Sequence, residues 1–242
     1  MNNIDLTIYP VKVDDSGKKL KYPIHSTLPD LEAGFTLGII MPRGQGKDTI
    51  ISNLLLSPNF LNRQNYDFCF IFSPTIRQDT TGVHLRKYFS NTIYSEYDDN
   101  VIKQIIDFQK SHDVKDMPKT IIVLNDSCGF NTPYLDYLCT RSRHYNTSII
   151  ISTQKVKDVR PVVRNNLTDV ILGRTKNQQE LEDIYTEWGA LFGSRELFFK
   201  KYKYATKDKY SFLFMKLGNP PRMFKNFTEE ITPPAEESDD ND

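Results

Sequence analysis

A mostly parallel α/β sheet, flanked by helices and closed by a late antiparallel edge strand, is the fold this 242-residue sequence predicts. Three observations predict it. From Phe35 onward, short apolar runs alternate with amphipathic stretches, the strand–helix rhythm of parallel sheets with helices on both faces. Several runs are β-branched enough to be buried strands, above all Thr120-Ile-Ile-Val-Leu and Ser148-Ile-Ile-Ile. A glycine-rich turn, Met41-Pro-Arg-Gly-Gln-Gly-Lys-Asp48, joins the first run to the first helical stretch.

Taken in order, residues 1–34 read as an N-terminal arm. Residues 5–13 alternate like a strand that Pro10 pushes toward an edge, Asp14-Asp-Ser-Gly is a turn, and residues 18–24 return as a second strand. The sheet domain spans 35–217. Its predicted strands cover 35–41, 67–73, 92–94, 119–126, 147–152, 168–173 and 210–216, the last alternating as an antiparallel strand does. Its predicted helices cover 46–57, 83–89, 98–109, 133–143, 162–166, 178–190 and 194–203. Residues 218–242 form a C-terminal extension with a disordered acidic tail. Ligands of such sheets bind at the carboxyl ends of the strands. The turns after Met41, Ser73, Asp126 and Ser152 should therefore share the working edge.

Composition narrows the function classes. The chain is long enough for one large α/β domain or two small ones, and its 15 Phe and 13 Tyr supply a core despite a 38% apolar share. No apolar run approaches the roughly 20 residues of a membrane span, and no signal-peptide pattern opens the chain, so a soluble intracellular protein is expected. Cys69, Cys128 and Cys139 lack paired metal-ligand spacing. Cys69 and Cys128 lie in apolar runs, as buried thiols of a reducing compartment do. The formal net charge of zero hides an asymmetry: residues 229–242 hold 7 acids and no base, leaving 31 basic against 24 acidic residues elsewhere. A basic body with an acidic tail fits nucleic-acid binding, and equally a solvated surface with a disordered tail.

Four features gather on the predicted edge. Gly44-Gln45-Gly46-Lys47 lies between a strand and a helix, where backbone N–H groups and the helix dipole favour an anion. Lys47 would reach outer phosphates. The stretch is close to G-x-x-x-x-G-K-[ST], with Met41 at the first glycine position and Asp48 at the hydroxyl position; Pro42, Arg43 and Thr49 complete the candidate loop. The run 121–126 ends in Asn125-Asp126, at the two positions where acids would hold Mg²⁺ and orient an attacking water. Here Asn125 is a neutral, weaker ligand and Asp126 keeps the carboxylate; a buried strand ending in a polar turn reads the same. Ser152-Thr153-Gln154 could sense a γ-phosphate, or make ordinary strand-end hydrogen bonds. Arg141 and Arg143 could act on a neighbouring subunit's phosphoryl group, or simply suit a helix end. Lys155, Lys157, Arg160 and Arg164 are candidates for sequence-independent DNA backbone contacts.

These residues carry a resemblance. The loop region 38–51, Phe72-Ser-Pro-Thr-Ile-Arg-Gln-Asp79, the run 121–126, residues 143–155 and 162–168 agree in order and spacing. The chain resembles the FtsK–HerA family of P-loop ATPases over about residues 34–217, and within it the poxvirus-type genome-packaging ATPases of large DNA viruses and virophages. The resemblance implies a RecA-like core, ATP and Mg²⁺ as ligands, and a homo-oligomeric ring of five or six subunits. It implies double-stranded DNA and a capsid or portal-vertex protein as partners, at virus assembly sites in the host cytoplasm. It assigns phosphate binding to Gly44, Gly46 and Lys47, catalytic acid to Asp126, sensor to Gln154, and arginine finger to Arg141 or Arg143. Asp48, Asn125 and Asp126 are then the metal candidates.

Three departures fall on diagnostic positions: Met41, Asp48 and Asn125. Met41 is expected to hinder the tight turn. Asp48 would repel phosphate by about 4 kcal/mol at ~4 Å and an effective dielectric of 20. They predict weakened ATP turnover on an intact fold. The alternative is a non-catalytic relative serving as a structural DNA- or capsid-binding subunit. A P-loop kinase or helicase would need a nucleoside lid or helicase motifs, and the sequence shows neither.

Overall fold

A computed structural model describes residues 23–78, 82–127 and 132–232. Among these the strands are β1 (Thr36–Ile40), β2 (Phe68–Phe72), β3 (Ile93–Tyr94), β4 (Thr120–Asn125), β5 (Thr147–Thr153), β6 (Asp169–Leu172), β7 (Leu213–Lys216), β8 (Arg222–Lys225) and β9 (Glu229–Glu230). The helices are α1 (Lys47–Leu56), α2 (Gly82–Phe89), α3 (Asp99–Lys110), α4 (Pro133–Cys139), α5 (Pro161–Arg164), α6 (Gln178–Glu187) and α7 (Arg195–Ala205). All strands join one sheet in the order β3-β2-β4-β5-β1-β6-β7-β8-β9. From β3 to β6 neighbours run parallel; β7, β8 and β9 are antiparallel.

Successive side chains of a strand point to opposite faces, and both faces here are apolar. Ile121 and Val123 enter one core with α1 residues Ile51 and Leu54 and α2 residues Leu85 and Phe89. Ile122 and Leu124 enter the other with Ile102 and Ile105 of α3, Leu138 of α4, Val163 of α5, Ile184 of α6 and Phe198 of α7. A strand covered on both sides needs no polar alternation, which is why β4 and β5 read as continuous hydrophobic runs. Gly38 in β1 keeps the sheet close to its cover, since a Cβ there would meet Leu167 Cδ1 at 2.8 Å.

Helix ends follow their residues. Asp98 caps α3 by accepting from Asn100 N–H at 2.9 Å, Asn177 caps α6, and Ser194 caps α7. The stretch read as one helix over 133–143 stops at Cys139. Thr140 closes it, a tight turn Ser142–Tyr145 follows, and Asn146 at φ 44° drops the chain into β5. The stretch read over 178–190 likewise stops at Glu187, and Gly189 starts a separate turn, where a Cβ would meet Tyr185 Cδ2 at 2.5 Å.

The late strand begins at Leu213 rather than at residue 210. Tyr210 sits at φ 65°, which a strand cannot continue. The antiparallel region also runs on through β8 and β9. Glu229 and Glu230, read from sequence as the start of the acidic tail, form β9, and Glu230 pairs with Arg222 at 2.6 Å. Leu28 and Leu31, in the stretch read as an arm, are buried in the core. The strands expected over 5–13 and 18–24 fall outside the described residues but for 23 and 24, which are not strand. Cys69 and Cys139 are buried, and burial pushes the Cys69 thiol well up; Cys128 lies outside the described residues. Among the described residues no helix is long and apolar enough to cross a membrane.

Candidate nucleotide-binding site

The centre of the sheet ends in one loop. β1 is buried between β5 and β6, and the chain leaves it through Met41-Pro42-Arg43 into Gly44 and Gly46, both left-handed at φ 82° and 87°. Glycine adopts that conformation without the Cβ penalty that other residues meet. Gly46 is the N-cap of α1, and it supplies no side-chain cap. The first N–H groups of a helix have no partner within it, so those of α1 face outward as anion donors with the helix dipole behind them. Arg43 and Gly44 are exposed, Thr49 is half-buried, and Lys47 is buried.

Lys47 reaches past the end of β5 toward β4, where its ammonium meets Asp126 Oδ1 at 2.5 Å. Asp126 stands just past β4 at φ 50°, its N–H tied to Ser152 O at 3.0 Å. Beside this pair lies a second. Asn125 Nδ2 donates to Asp48 Oδ1 at 2.7 Å and to Ser73 Oγ at 3.4 Å, while Ser152 Oγ donates to Asn125 Oδ1. Both ends of the Asn125 amide are therefore engaged. Asn125 orients Asp48, and its amide oxygen keeps a second lone pair beside the one that Ser152 engages.

The residues fit a hard cation of limited protein coordination. Among the described residues no group of three or more His, Cys, Asp or Glu could hold a metal. Mg²⁺ commonly takes one or two carboxylates and completes its shell with phosphate and water oxygens. Asp48 in the first turn of α1 and Asp126 just past β4 are two such oxygen donors on one flank of the cradle.

The loop is held from the other side by β6. Gln45 Nε2 donates to Arg174 O, and Arg174 N–H returns a bond to Gln45 Oε1 at 2.7 Å. Gly173 makes room for this clasp: a Cβ there would meet Gln45 Oε1 at 2.4 Å and Met41 Cγ at 2.9 Å. Met41 is fully buried in the core against Gly173, and its backbone is not left-handed. The Met41 side chain points away from the anion side of the loop and fills the core under it. Tyr202 locks the far end, donating to Gly173 O at 2.6 Å and accepting from Thr175 N–H at 2.8 Å; burial pushes its hydroxyl up to about 12.

Gln154 lies exposed just beyond β5, on the same edge. The chain after it is anchored, since Val156 N–H donates to Glu180 Oε1 at 2.6 Å; burial raises the Glu180 carboxyl above its usual range. Arg141 and Arg143 are exposed but precede β5. They occupy the opposite edge, with Arg143 against Gly34 ahead of β1. The seven residues of β5 separate the two edges by about 20 Å, so neither arginine can reach its own chain's cradle. Of the cations expected on DNA, Lys157 pairs with Asp183 at 3.0 Å, Arg160 with Asp136 at 2.8 Å and Arg164 with Glu187 at 3.0 Å. These three pairs tie α4, α5 and α6 together; the Arg164 side chain is 13% exposed, and Lys155 is exposed.

Sequence reasoning missed the support around the cradle. Ser73 could have been found, since it ends a predicted strand on the working edge. Tyr202, Gly173 and Tyr210 gave no such signal. Tyr210 lies beside the cradle: a Cβ on Gly46 would stand 3.7 Å from its ring.

No protein-family model matches the chain. Protein 075L of Invertebrate iridescent virus 6, itself uncharacterized, is 27% identical over 188 residues, 75% of this chain and 70% of that protein. Among solved structures, the DNA-packaging ATPase B204 of Sulfolobus Turreted Icosahedral Virus superposes with a TM-score of 0.57 at 19% identity, over 78% of this chain and 96% of that one. The genome packaging NTPase B204 of Sulfolobus turreted icosahedral virus 2, solved with ATP-gammaS, superposes at 0.56 and 18% identity, over 79% and 96%. The chain has the α/β fold of these viral packaging NTPases.

Proposed function

We propose that this protein is an ATP-driven translocase that packages double-stranded viral DNA into a capsid, working as a homo-oligomeric ring of five or six subunits against a capsid or portal-vertex protein at assembly sites in the host cytoplasm. One observation carries the reading: the uncapped start of α1, with left-handed Gly44 and Gly46, opens beside Lys47 paired to Asp126 at 2.5 Å, on a fold shared with packaging NTPases.

In this reading the loop N–H groups and Lys47 hold the triphosphate, the lysine leaving Asp126 for the phosphates. Asp126 then faces the attacking water and accepts its proton, and Gln154 orients that water from the tip of β5. Mg²⁺ would neutralise charge on the β- and γ-phosphates, held on the protein side by Asp48 and Asp126. Arg141 or Arg143 of one subunit serves the cradle of the next.

Asp48 and Asn125 look like two losses, but they are reciprocal. The usual pattern has a neutral hydroxyl on the helix and a carboxylate on the strand; here the carboxylate is on the helix and the neutral amide on the strand. The local charge is conserved and the two groups are bonded at 2.7 Å. A weakened or inactive structural subunit is the second reading, favoured by the carboxylate placed against the phosphates. Steady-state hydrolysis of ATP, with and without Mg²⁺ and linear duplex DNA, separates them. Turnover that needs Mg²⁺, rises with DNA and falls at least 100-fold in Lys47→Ala supports the motor. Nucleotide-independent DNA binding with no turnover supports the structural subunit.

A further inference from the structure

The phosphate cradle has a reactive side and an open side. Lys47, Asp126, Asp48 and Asn125 crowd the flank toward β5 and β4. A triphosphate whose terminal phosphate faces Asp126 must let its nucleoside leave toward the other flank, over β6 and β7. Tyr210 stands there. Its ring edge would lie 3.7 Å from a Cβ on Gly46, at the very start of α1, yet the residue is 58% exposed.

The backbone holds the ring in that place against its own preference. Asp208 to Ser211 form a turn closed by Ser211 N–H to Asp208 O at 3.2 Å. Ser211 Oγ also donates to Asp208 O at 2.8 Å, and Lys225 pins the Asp208 carboxylate at 2.5 Å. Tyr210 takes the third position of the turn at φ 65°, where a glycine is the usual occupant. A large aromatic held in a left-handed turn, largely in solvent and beside an anion site, is packed for no core. Non-glycine residues kept in such conformations cluster at ligand clamps.

We propose that Tyr210 is the base-stacking residue of the nucleotide site, a specificity element that takes the purine ring of the bound triphosphate. This rests on the nucleotide-binding reading of the loop. The Lys209 ammonium lies over the Tyr210 ring, 4.9 Å from its centroid, so the purine stacks on the opposite face. Stacking reads the π-face of a base and not its hydrogen-bonding edge. The site should therefore take ATP and GTP with affinities within a few-fold of each other.

Calorimetric titration of the full chain with Mg·ATP, Mg·GTP and Mg·tripolyphosphate tests this, using the wild type, Tyr210→Phe, Tyr210→Ala and Tyr210→Gly. Stacking on an aromatic is strong enough to move affinity about tenfold or more. Tyr210→Ala and Tyr210→Gly should lose that factor for ATP and GTP and keep tripolyphosphate binding within twofold. Tyr210→Phe should bind all three as the wild type does. The glycine variant also relieves the turn, so its melting temperature should hold or rise while nucleotide affinity falls, which separates ring loss from misfolding. Equal ATP affinity in the wild type and Tyr210→Gly overturns the proposal. A parallel loss of tripolyphosphate binding shows a collapsed cradle and overturns it as well. A wild type that binds tripolyphosphate poorly and ATP not at all overturns the nucleotide reading underneath.

Discussion

Asp48 and Asn125 are 77 positions apart and meet at 2.7 Å. Each, read alone along the chain, looks like damage to a phosphate site; their contact turns two departures into one exchange. That coupling has a measurable form. Asp48→Ser removes the helix carboxylate, and Asn125→Asp sets two carboxylates against each other, worth about 4 kcal/mol at ~4 Å and an effective dielectric of 20. Each single variant should weaken Mn²⁺-dependent nucleotide binding at least tenfold, followed by the Mn²⁺ spin-resonance signal. The double variant should recover to within a few-fold of the wild type. Effects that simply add would disprove the exchange, because independent sites add. At this scale the sequence was partly legible. Gly44, Gly46, Lys47 and Asp126 were visible because their types and spacing are fixed by phosphate chemistry. The Asp48–Asn125 bond was not, because it depends on β1 and β4 being separated by only β5 in the sheet.

Among elements, the loop between β1 and α1 is clasped by the end of β6. Met41 fills the core beneath it, and Gln45 exchanges two hydrogen bonds with the backbone of Arg174. Met41→Ala should therefore destabilise the fold by about 2–5 kcal/mol, the range for truncating a buried methionine, measurable by urea unfolding. Gly173→Ala should leave stability less affected yet cut nucleotide affinity, since its Cβ would meet the Gln45 amide oxygen at 2.4 Å and force the clasp open. The reverse ranking would show the clasp to be mere packing. Most elements were readable: a run such as Thr120-Ile-Ile-Val-Leu offers little but a buried strand. β8 and β9 were not, because Arg222-Met-Phe-Lys is short and mixed in polarity, and only pairing with β7 makes it a strand. The residue beside the loop, Tyr210, was hidden for the opposite reason. Tyr-Ser-Phe-Leu-Phe alternates so well that it reads as strand from its first residue.

For the whole molecule, the parallel sheet gives two chemically distinct edges. The carboxyl edge carries the cradle. The amino edge carries Asp169, nearly buried at the start of β6. Burial raises its carboxyl to about 6, against a lowering by the Thr168 hydroxyl bonded at 2.7 Å. Asp169 Oδ1 is buried with no hydrogen-bond partner. An acid whose folded-state pKa is raised holds its proton more tightly when folded, so stability is lost as pH rises from about 4 through about 6. A shift of about two units corresponds to about 3 kcal/mol. Asp169→Asn should match the wild type near pH 4 and exceed it by about that amount at pH 7 in denaturant unfolding. A pH-independent difference would refute the assignment.

If, as proposed, Arg141 or Arg143 of one subunit serves the cradle of the next, the separation of the edges fixes what kind of neighbour each chain needs. On that proposal an arginine about 20 Å from its own cradle completes only another chain's site, and the contact would join unlike surfaces, head to tail. Two copies facing each other across a two-fold axis would leave such a contact unmade, whereas a cyclic succession satisfies every copy once. Defects would then be inherited by position: a subunit lacking Arg143 would silence the neighbour it serves and not itself, and one faulty chain would leave a single gap in the circle.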